Sequence, residues 1–257
     1  MVKLPEIIDI REYRKQSRRS GRARWILLLV FMLVCMITGY MFALSDFFSI
    51  THITVEGNEH TDEKRLIELS GFSVGNSIFS VSLSYSEQWL QIEPRVLSAD
   101  VKRDWPNGIE INVVERKPVA MLKSGLAFIE VDATGRVLDR YQLAGSMACP
   151  LVTGIDLSES GITPGSYIMS DGMSQALDIL EDASEVLDKI GEINVSDVQD
   201  IRLYTSSGIE VRLGDSSNFK EKYLLYSKII EDHERNSNKV IDYIDVSVAT
   251  KWAINYK

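Results

Sequence analysis

Residues 25–44 (WILLLVFMLVCMITGYMFAL) form a stretch of 20 residues without a charged side chain. At about 1.5 Å of rise per residue, a helix of this length measures about 30 Å, which is the thickness of a membrane's hydrocarbon layer. Trp25 and Tyr40 place aromatic rings near its two ends, where membrane helices often carry them. The pattern predicts one membrane-spanning helix over residues 25–45.

The next stretch of the chain reads strand, helix, helix, strand, strand. Apolar and polar positions alternate over residues 49–56, and Thr61 is placed to cap the helix that follows. A second helix is predicted over about 82–92. Asn107-Gly108 then marks a hairpin between two alternating strands. Two helices on one face of a three-stranded sheet predict a compact α+β module of about 70 residues.

The remaining chain predicts a mixed β-sheet with two helices. Helical periodicity covers about 174–190 and 219–231. The chain closes with a strand over 240–248 that is continued by residues 251–254. Three further strands are predicted around residues 193–195, 200–203 and 209–213. A terminal strand often lies at a sheet edge, where it can accept a partner's strand, although a strand paired on both sides is the alternative.

Charge is distributed unevenly between the two sides of the predicted membrane helix. Residues 1–24 carry eight basic and three acidic side chains, whereas the whole chain has a net charge of −9. The basic side of a membrane helix usually stays in the cytoplasm, so residues 1–24 are predicted to be a cytoplasmic tail. The acidic remainder would repel nucleic acid, which argues against a nucleic-acid-binding role.

A cleaved signal peptide is the alternative interpretation of the apolar stretch, with Ala43-Leu44-Ser45 as a passable cleavage site. The apolar part of a signal peptide is about 7–15 residues long, and the basic segment before it is usually shorter than the one here. These lengths favour an uncleaved anchor that exports the rest of the chain.

Several short motifs carry a resemblance to a known family. They occupy residues 53–58, 101–120 (VKRDWPNGIEINVVERKPVA), 127–138 and 149–154. The first is similar to the opening of a POTRA domain. Residues 101–120 resemble the bacterial cell-division proteins FtsQ and DivIB, and their ERKPVA ending is the most telling part. The order of these motifs fits that family along nearly the whole chain.

The resemblance implies a domain organisation. It comprises a basic tail (1–24), a transmembrane helix (25–45), a POTRA domain (49–118) and an FtsQ-type β-domain (119–257). It also implies a non-enzymatic scaffold that links early and late division proteins at the septum. Such a protein would be a single-pass protein of the bacterial inner membrane with its bulk in the periplasm. The POTRA domain would recruit other membrane proteins of the division machinery.

The resemblance further implies a docking site for FtsB (DivIC in Gram-positive bacteria) and its companion FtsL. In that family the terminal strand accepts a strand from FtsB, a mode of binding called β-augmentation. The residues expected to bind the partner are Tyr243, Ile244, Asp245, Val246, Ser247, Val248, Ala249, Thr250, Lys251 and Trp252.

Catalytic and metal-binding motifs are absent from the sequence. It contains no phosphate-binding glycine loop and no nucleophile elbow, and its three histidines lack metal-ligand spacing. Cys35 and Cys149 would lie in different compartments, so no intrachain disulfide is expected. No cofactor is predicted, and Trp105 is expected to be a packed turn residue. Two other functions stay open: a POTRA-bearing membrane chaperone for envelope proteins, and a membrane-anchored cell-wall hydrolase.

Overall fold

The protein is described by a computed structural model that covers residues 10–142, 149–157, 162–236, 239–248 and 250–257. Its first element is a long helix, α1 (Ile10–Ala43), and a short 3-10 helix follows at Asp46–Phe48. The segment Arg24–Ala43 is long and apolar enough to cross a membrane, and its side chains are exposed. The predicted single N-terminal membrane helix is confirmed.

A three-stranded sheet with two helices follows the membrane helix, in the predicted order. Its elements are β1 (His52–Glu56), α2 (Glu63–Ser70), α3 (Leu83–Leu90), β2 (Val96–Asp104) and β3 (Gly108–Glu115). Strand β3 lies in the centre, parallel to β1 and antiparallel to β2. Leu66 on α2, Leu90 on α3 and Ile111 on β3 are fully buried between the helices and the sheet, which gives this module its own core.

Helix α2 begins differently from the sequence-based prediction. Its N-cap is Asp62, whose carboxylate accepts a hydrogen bond from the Lys64 N–H at 3.4 Å. Thr61 does not cap the helix: its hydroxyl has no hydrogen-bond partner among the described residues, and its N–H donates to the Glu115 carboxylate at 2.8 Å. The His60 N–H donates to the same carboxylate at 3.0 Å. Glu115 therefore positions the loop that leads into α2, and the N-cap is Asp62, one residue after the predicted Thr61.

The second module is a nine-stranded sheet with two helices. Its strands, in chain order, are β4 (Pro118–Ser124), β5 (Ala127–Asp132), β6 (Val137–Tyr141), β7 (Leu151–Thr153), β8 (Ile190–Asn194), β9 (Ile201–Thr205), β10 (Glu210–Gly214), β11 (Ile241–Val248) and β12 (Lys251–Tyr256). In space the order is β12-β11-β10-β9-β8-β7-β4-β5-β6. Helix α4 (Asp171–Asp182) lies between β7 and β8 in the chain, and α5 (Phe219–Asn236) precedes β11. The predicted mixed β-sheet domain is confirmed.

The predicted bounds of the two helices in this module were partly wrong. Helix α4 ends at Asp182, and a 3-10 helix (Leu187–Lys189) follows it. Ile190 therefore begins β8 and does not lie on a helix. Helix α5 runs to Asn236, several residues beyond the predicted end. The apolar spacing held within α5, whereas for α4 it continued by chance into the 3-10 helix and β8 and so predicted a helix that was too long.

Two arginines join the modules. Arg95, just before β2, is 8% exposed and donates to the Glu130 carboxylate at 2.7 Å and to Asp139 at 3.4 Å. Arg116 follows β3, and its guanidinium donates to the Asp132 carboxylate at 2.8 Å. Its N–H donates to the Arg95 carbonyl at 2.7 Å. The junction is therefore held by hydrogen bonds from both the main chain and buried charged side chains.

Candidate functional site

Strand β11, the predicted docking strand, is not the edge of the sheet. It pairs in parallel with β10 and in antiparallel with β12, and Ile244 and Val246 on it are fully buried. Of the two possibilities that the sequence left open for the terminal strand, the structure has the strand paired on both sides and not the open edge. The expected continuation at residues 251–254 is a separate strand, because the chain reverses direction after Val248 and covers the outer side of β11.

Strand β12 is the outer strand at this end of the sheet. Among the described residues, no further strand pairs with its outer side. An edge strand of this kind presents unpaired main-chain N–H and C=O groups, which can pair with a strand from another chain. Trp252 is 55% exposed and Tyr256 is 39% exposed, so the edge also offers aromatic contact surface.

A shallow groove of about 220 Å³ runs between β12 and α5. Trp252, Ile254 and Tyr256 line its strand side, as expected for alternate residues that share one face of a strand. The helix side is formed by Ile229, Asp232, His233 and Asn236. A strand added beside β12 would point alternate side chains toward this groove, which suits apolar or aromatic anchors.

Local contacts hold β12 in register against β11. Ile254 packs on the main core, and the Asn255 side chain donates to the Asp242 carboxylate at 3.1 Å. The Lys257 N–H donates to the Val240 carbonyl at 3.0 Å. The centroids of the Tyr256 and His233 rings lie 5.6 Å apart. These contacts present the outer side of β12 as a preformed edge.

Helix α5 is fixed beside this edge by a buried cation. Lys222 is only 3% exposed. Its ammonium donates to the main-chain carbonyl of Asp215 at 3.0 Å and to the Asp215 carboxylate at 2.8 Å. The hydrogen bond from Lys222, with another from Ser217, lowers the pKa of Asp215 to about 2. The start of the helix is thus tied to the end of β10.

The opposite face of the sheet beside β11 is polar. The Arg212 guanidinium lies 3.7 Å from the centre of the Tyr243 ring, and its Nε donates to the Glu210 carboxylate at 3.0 Å. The hydrogen bond to Glu210 raises the pKa of Arg212. Tyr243 and Asp245, two of the expected docking residues, therefore lie on a charged face that the groove does not include.

The ten expected docking residues fall into separate places. Residues 243–248 lie on β11, Ala249 lies outside the described residues, and Thr250 lies in the turn. Lys251 and Trp252 alone among them belong to the outer strand. Ala253, Ile254, Asn255 and Tyr256 complete this strand and were not among the expected docking residues. The alternation of Trp252, Ile254 and Tyr256 could have indicated a second strand.

The histidines have local partners, and Trp105 lies in a turn where it is only partly packed. His52 lies 3.5 Å from the Asp104 carboxylate, His60 lies 3.1 Å from that of Glu115, and the His233 ring contacts the Lys239 carbonyl. No group of three potential metal ligands occurs in the part of the chain that the structure describes. Trp105 lies in the expected turn and its ring contacts those of Phe48 and Phe79, although 58% of the residue stays exposed.

Comparisons with known proteins point to one family. The family described as "POTRA domain, FtsQ-type" matches residues 48–116, and "Cell division protein FtsQ/DivIB, C-terminal" matches residues 120–247. FtsQ of Syntrophotalea carbinolica is 27% identical over 85% of this chain and 77% of that protein. DivIB of Clostridium botulinum (strain Loch Maree) is 24% identical over 94% of each chain. The solved extracytoplasmic domain of Geobacillus stearothermophilus DivIB is 19% identical over 48% of this chain and 98% of that chain, with a TM-score of 0.31.

Proposed function

The chain belongs to the FtsQ/DivIB family of cell-division proteins, and from this we propose that it is a non-enzymatic scaffold of the bacterial division machinery. It binds FtsB together with FtsL by β-augmentation at the C-terminal end of its large sheet. Its membrane helix keeps these single-pass partners at one place in the envelope, where the scaffold links early and late division proteins.

The open side of β12 is the observation that carries this proposal. It combines unpaired main-chain groups with a groove lined by Trp252, Ile254 and Tyr256. Main-chain pairing provides affinity that depends little on side-chain identity, and pockets for alternate side chains provide specificity. The partner's strand adds outside β12, because the hydrogen-bonding groups of β11 are already paired on both sides.

The remaining parts of the proposal concern location. The basic tail (1–24) lies in the cytoplasm, and the two modules lie in the periplasm at the division septum. The POTRA module, within which residues 48–116 match the family, recruits further membrane proteins of the division machinery. A POTRA-bearing chaperone is the second candidate, but such proteins carry repeated modules and the described residues contain one.

A truncation separates the two possible docking strands. We compare the full chain with a chain that ends at Thr250, which lacks β12 but keeps β11 and its buried residues. Co-purification with FtsB and FtsL should be lost, because the partner then has neither its edge nor its groove. Retained binding would identify β11 as the docking strand and would contradict addition to β12.

A point substitution tests the groove without removing a strand. Trp252→Ala should weaken FtsB binding by about tenfold or more, since an aromatic anchor in an interface typically contributes about 2 kcal/mol. Tyr85→Ala is the control, because Tyr85 is an exposed aromatic residue on α3, outside the large sheet and the groove. Circular dichroism checks that both variants keep their fold. Equal affinities for the two variants would exclude the groove as part of the interface.

A further inference from the structure

Five aromatic rings form a continuous surface between the membrane helix and the POTRA module. Neighbouring ring centroids lie between 5.0 and 6.0 Å apart. We call this the juxtamembrane aromatic patch, and it consists of Phe42, Phe47, Phe48, Phe79 and Trp105. The rings come from the last turn of α1, the 3-10 helix, the loop before α3 and the turn between β2 and β3. Separate parts of the chain therefore converge on one surface.

Most of the juxtamembrane aromatic patch is open to the surroundings. Phe47 is 54% exposed, Phe79 is 48% exposed and Trp105 is 58% exposed. Phe48 is half-buried and packs against the core of the POTRA module. Contiguous exposed apolar surfaces are uncommon on proteins that meet only water, and they mark contact sites for membranes or partners.

The position of the patch next to the membrane helix indicates that a membrane covers it. Phe42 belongs to the segment Arg24–Ala43 that is long enough to span the bilayer, and its ring stacks on Phe47 with a centroid distance of 5.4 Å. The patch therefore starts within the lipid-facing helix and continues onto the module without a break. Aromatic rings concentrate at the boundary between lipid headgroups and acyl chains.

The loop that carries Phe79 is held in place by Arg103. The Arg103 guanidinium donates to the Ile78 carbonyl at 3.0 Å and to the Val81 carbonyl at 3.3 Å. Its Cζ lies 5.7 Å from the centre of the Phe79 ring. Asp46 and Asp104 directly precede Phe47 and Trp105 in the chain. The ring positions are thus fixed before any contact with lipid.

We propose that Phe79 and Trp105 insert into the lipid interface of the leaflet next to the POTRA module. This contact lays the module on the bilayer in one orientation, so that the module does not swing on a flexible tether. The contact is separate from partner binding at β12 and depends only on insertion of α1 in a membrane.

Fluorescence quenching of a single tryptophan tests the proposal with the full chain. The chain is reconstituted in vesicles of phosphatidylethanolamine and phosphatidylglycerol, with a nitroxide on the acyl chain near the headgroup. Trp25→Phe, Trp89→Phe and Trp252→Phe together leave Trp105 as the reporter. Its fluorescence should fall as strongly as that of a chain retaining only Trp25, which lies in the membrane helix. A chain retaining only Trp252, on β12, should lose none.

Three outcomes would count against insertion of the patch into the lipid. If Trp105 is quenched no more than Trp252, the patch does not enter the lipid. Phe79→Ser should reduce the quenching of Trp105, whereas Tyr85→Ser, an exposed ring on α3 outside the patch, should not; equal effects would count against insertion of Phe79. A further variant combines Trp105→Cys with Cys35→Ser and Cys149→Ser. If it forms disulfide-linked dimers efficiently, a second copy of the chain covers the patch, and the proposal of membrane insertion is refuted.

Discussion

At the scale of single residues, Lys222 shows how a buried charge can be stabilising. Its ammonium is tied to both the main-chain carbonyl and the carboxylate of Asp215, so the charge is not left unpaired in the core. Lys220, two positions earlier, is exposed and forms an ion pair with Asp182 at 3.1 Å. Exposed pairs of this kind contribute little, because water competes for both partners.

We expect Lys222→Met to destabilise the protein by about 1–3 kcal/mol, since the substitution removes the donor for two acceptors at the start of α5. Lys220→Met should change the stability very little and serves as the matched control. The measurement is urea unfolding of residues 46–257 at neutral pH. Equal stabilities of the two variants would show that the buried ion pair contributes nothing.

The ion pair between Lys222 and Asp215 should make the stability of the folded protein depend on pH in the acidic range. The pKa of Asp215 in the folded protein is lowered to about 2, below its ordinary value. The stabilisation is therefore complete above about pH 4, the usual pKa of an unfolded aspartate, and is lost as the pH falls toward 2. Lys222→Met should reduce this part of the pH dependence in unfolding curves measured between those values.

At the scale of elements, the start of α2 shows how main-chain contacts decide between neighbouring capping residues. Thr61 and Asp62 both have side chains that can cap a helix. The N–H groups of His60 and Thr61 are bound by Glu115, a residue far along the chain on β3. This contact places Asp62 at the capping position and buries the Thr61 hydroxyl, which has no hydrogen-bond partner among the described residues.

Asp62→Ala should therefore lower the free energy of unfolding by about 0.5–1 kcal/mol, the low end of the range for an N-cap. Thr61→Val should cost less, because it removes a buried hydroxyl that makes no hydrogen bond. Thermal unfolding of both variants gives the order of the two effects. The reverse order would mean that Thr61 is the true cap.

The sequence was informative where a pattern is local, and less so where it depends on distant partners. The hydrophobic stretch, the alternation of β3 and the Asn107-Gly108 turn each predicted the observed element. The reversal between β11 and β12 has no Gly, Pro or Asn to mark it, so two strands were interpreted as one. The edge of the sheet was therefore placed one strand too early. Pairing between strands is set by the whole sheet, which a local pattern does not describe.

At the scale of the whole molecule, the two modules are joined by Arg95 and Arg116. The ERKPVA motif that marked the family resemblance lies at this junction. Glu115 binds the loop before α2, Arg116 binds Asp132 of the second module, and Pro118 begins β4. Burial raises the pKa of Asp132, but hydrogen bonds from Thr134 and Arg116 outweigh it and keep the pKa lowered. The motif thus has a structural role in coupling the modules.

Arg95→Met should uncouple the modules, because it leaves the partly buried carboxylate of Glu130 without its cation. Removing one partner of a buried ion pair typically costs about 3 kcal/mol or more. Calorimetry of residues 46–257 should then resolve two transitions where the parent shows one. Adding Glu130→Gln should restore part of the loss, and Arg65→Met, at an exposed arginine, should have no effect. A single transition at an unchanged Tm would contradict this role of Arg95.

The strand order of the large sheet sets the distance between the POTRA junction and β12. Arg95 of the POTRA module binds Asp139 on β6, the strand at one end of the sheet, whereas β12 lies at the other end. Eight steps of about 4.8 Å separate these strands, a span of about 38 Å. A partner strand docked on β12 would therefore lie about 38 Å across the sheet from the junction with the POTRA module.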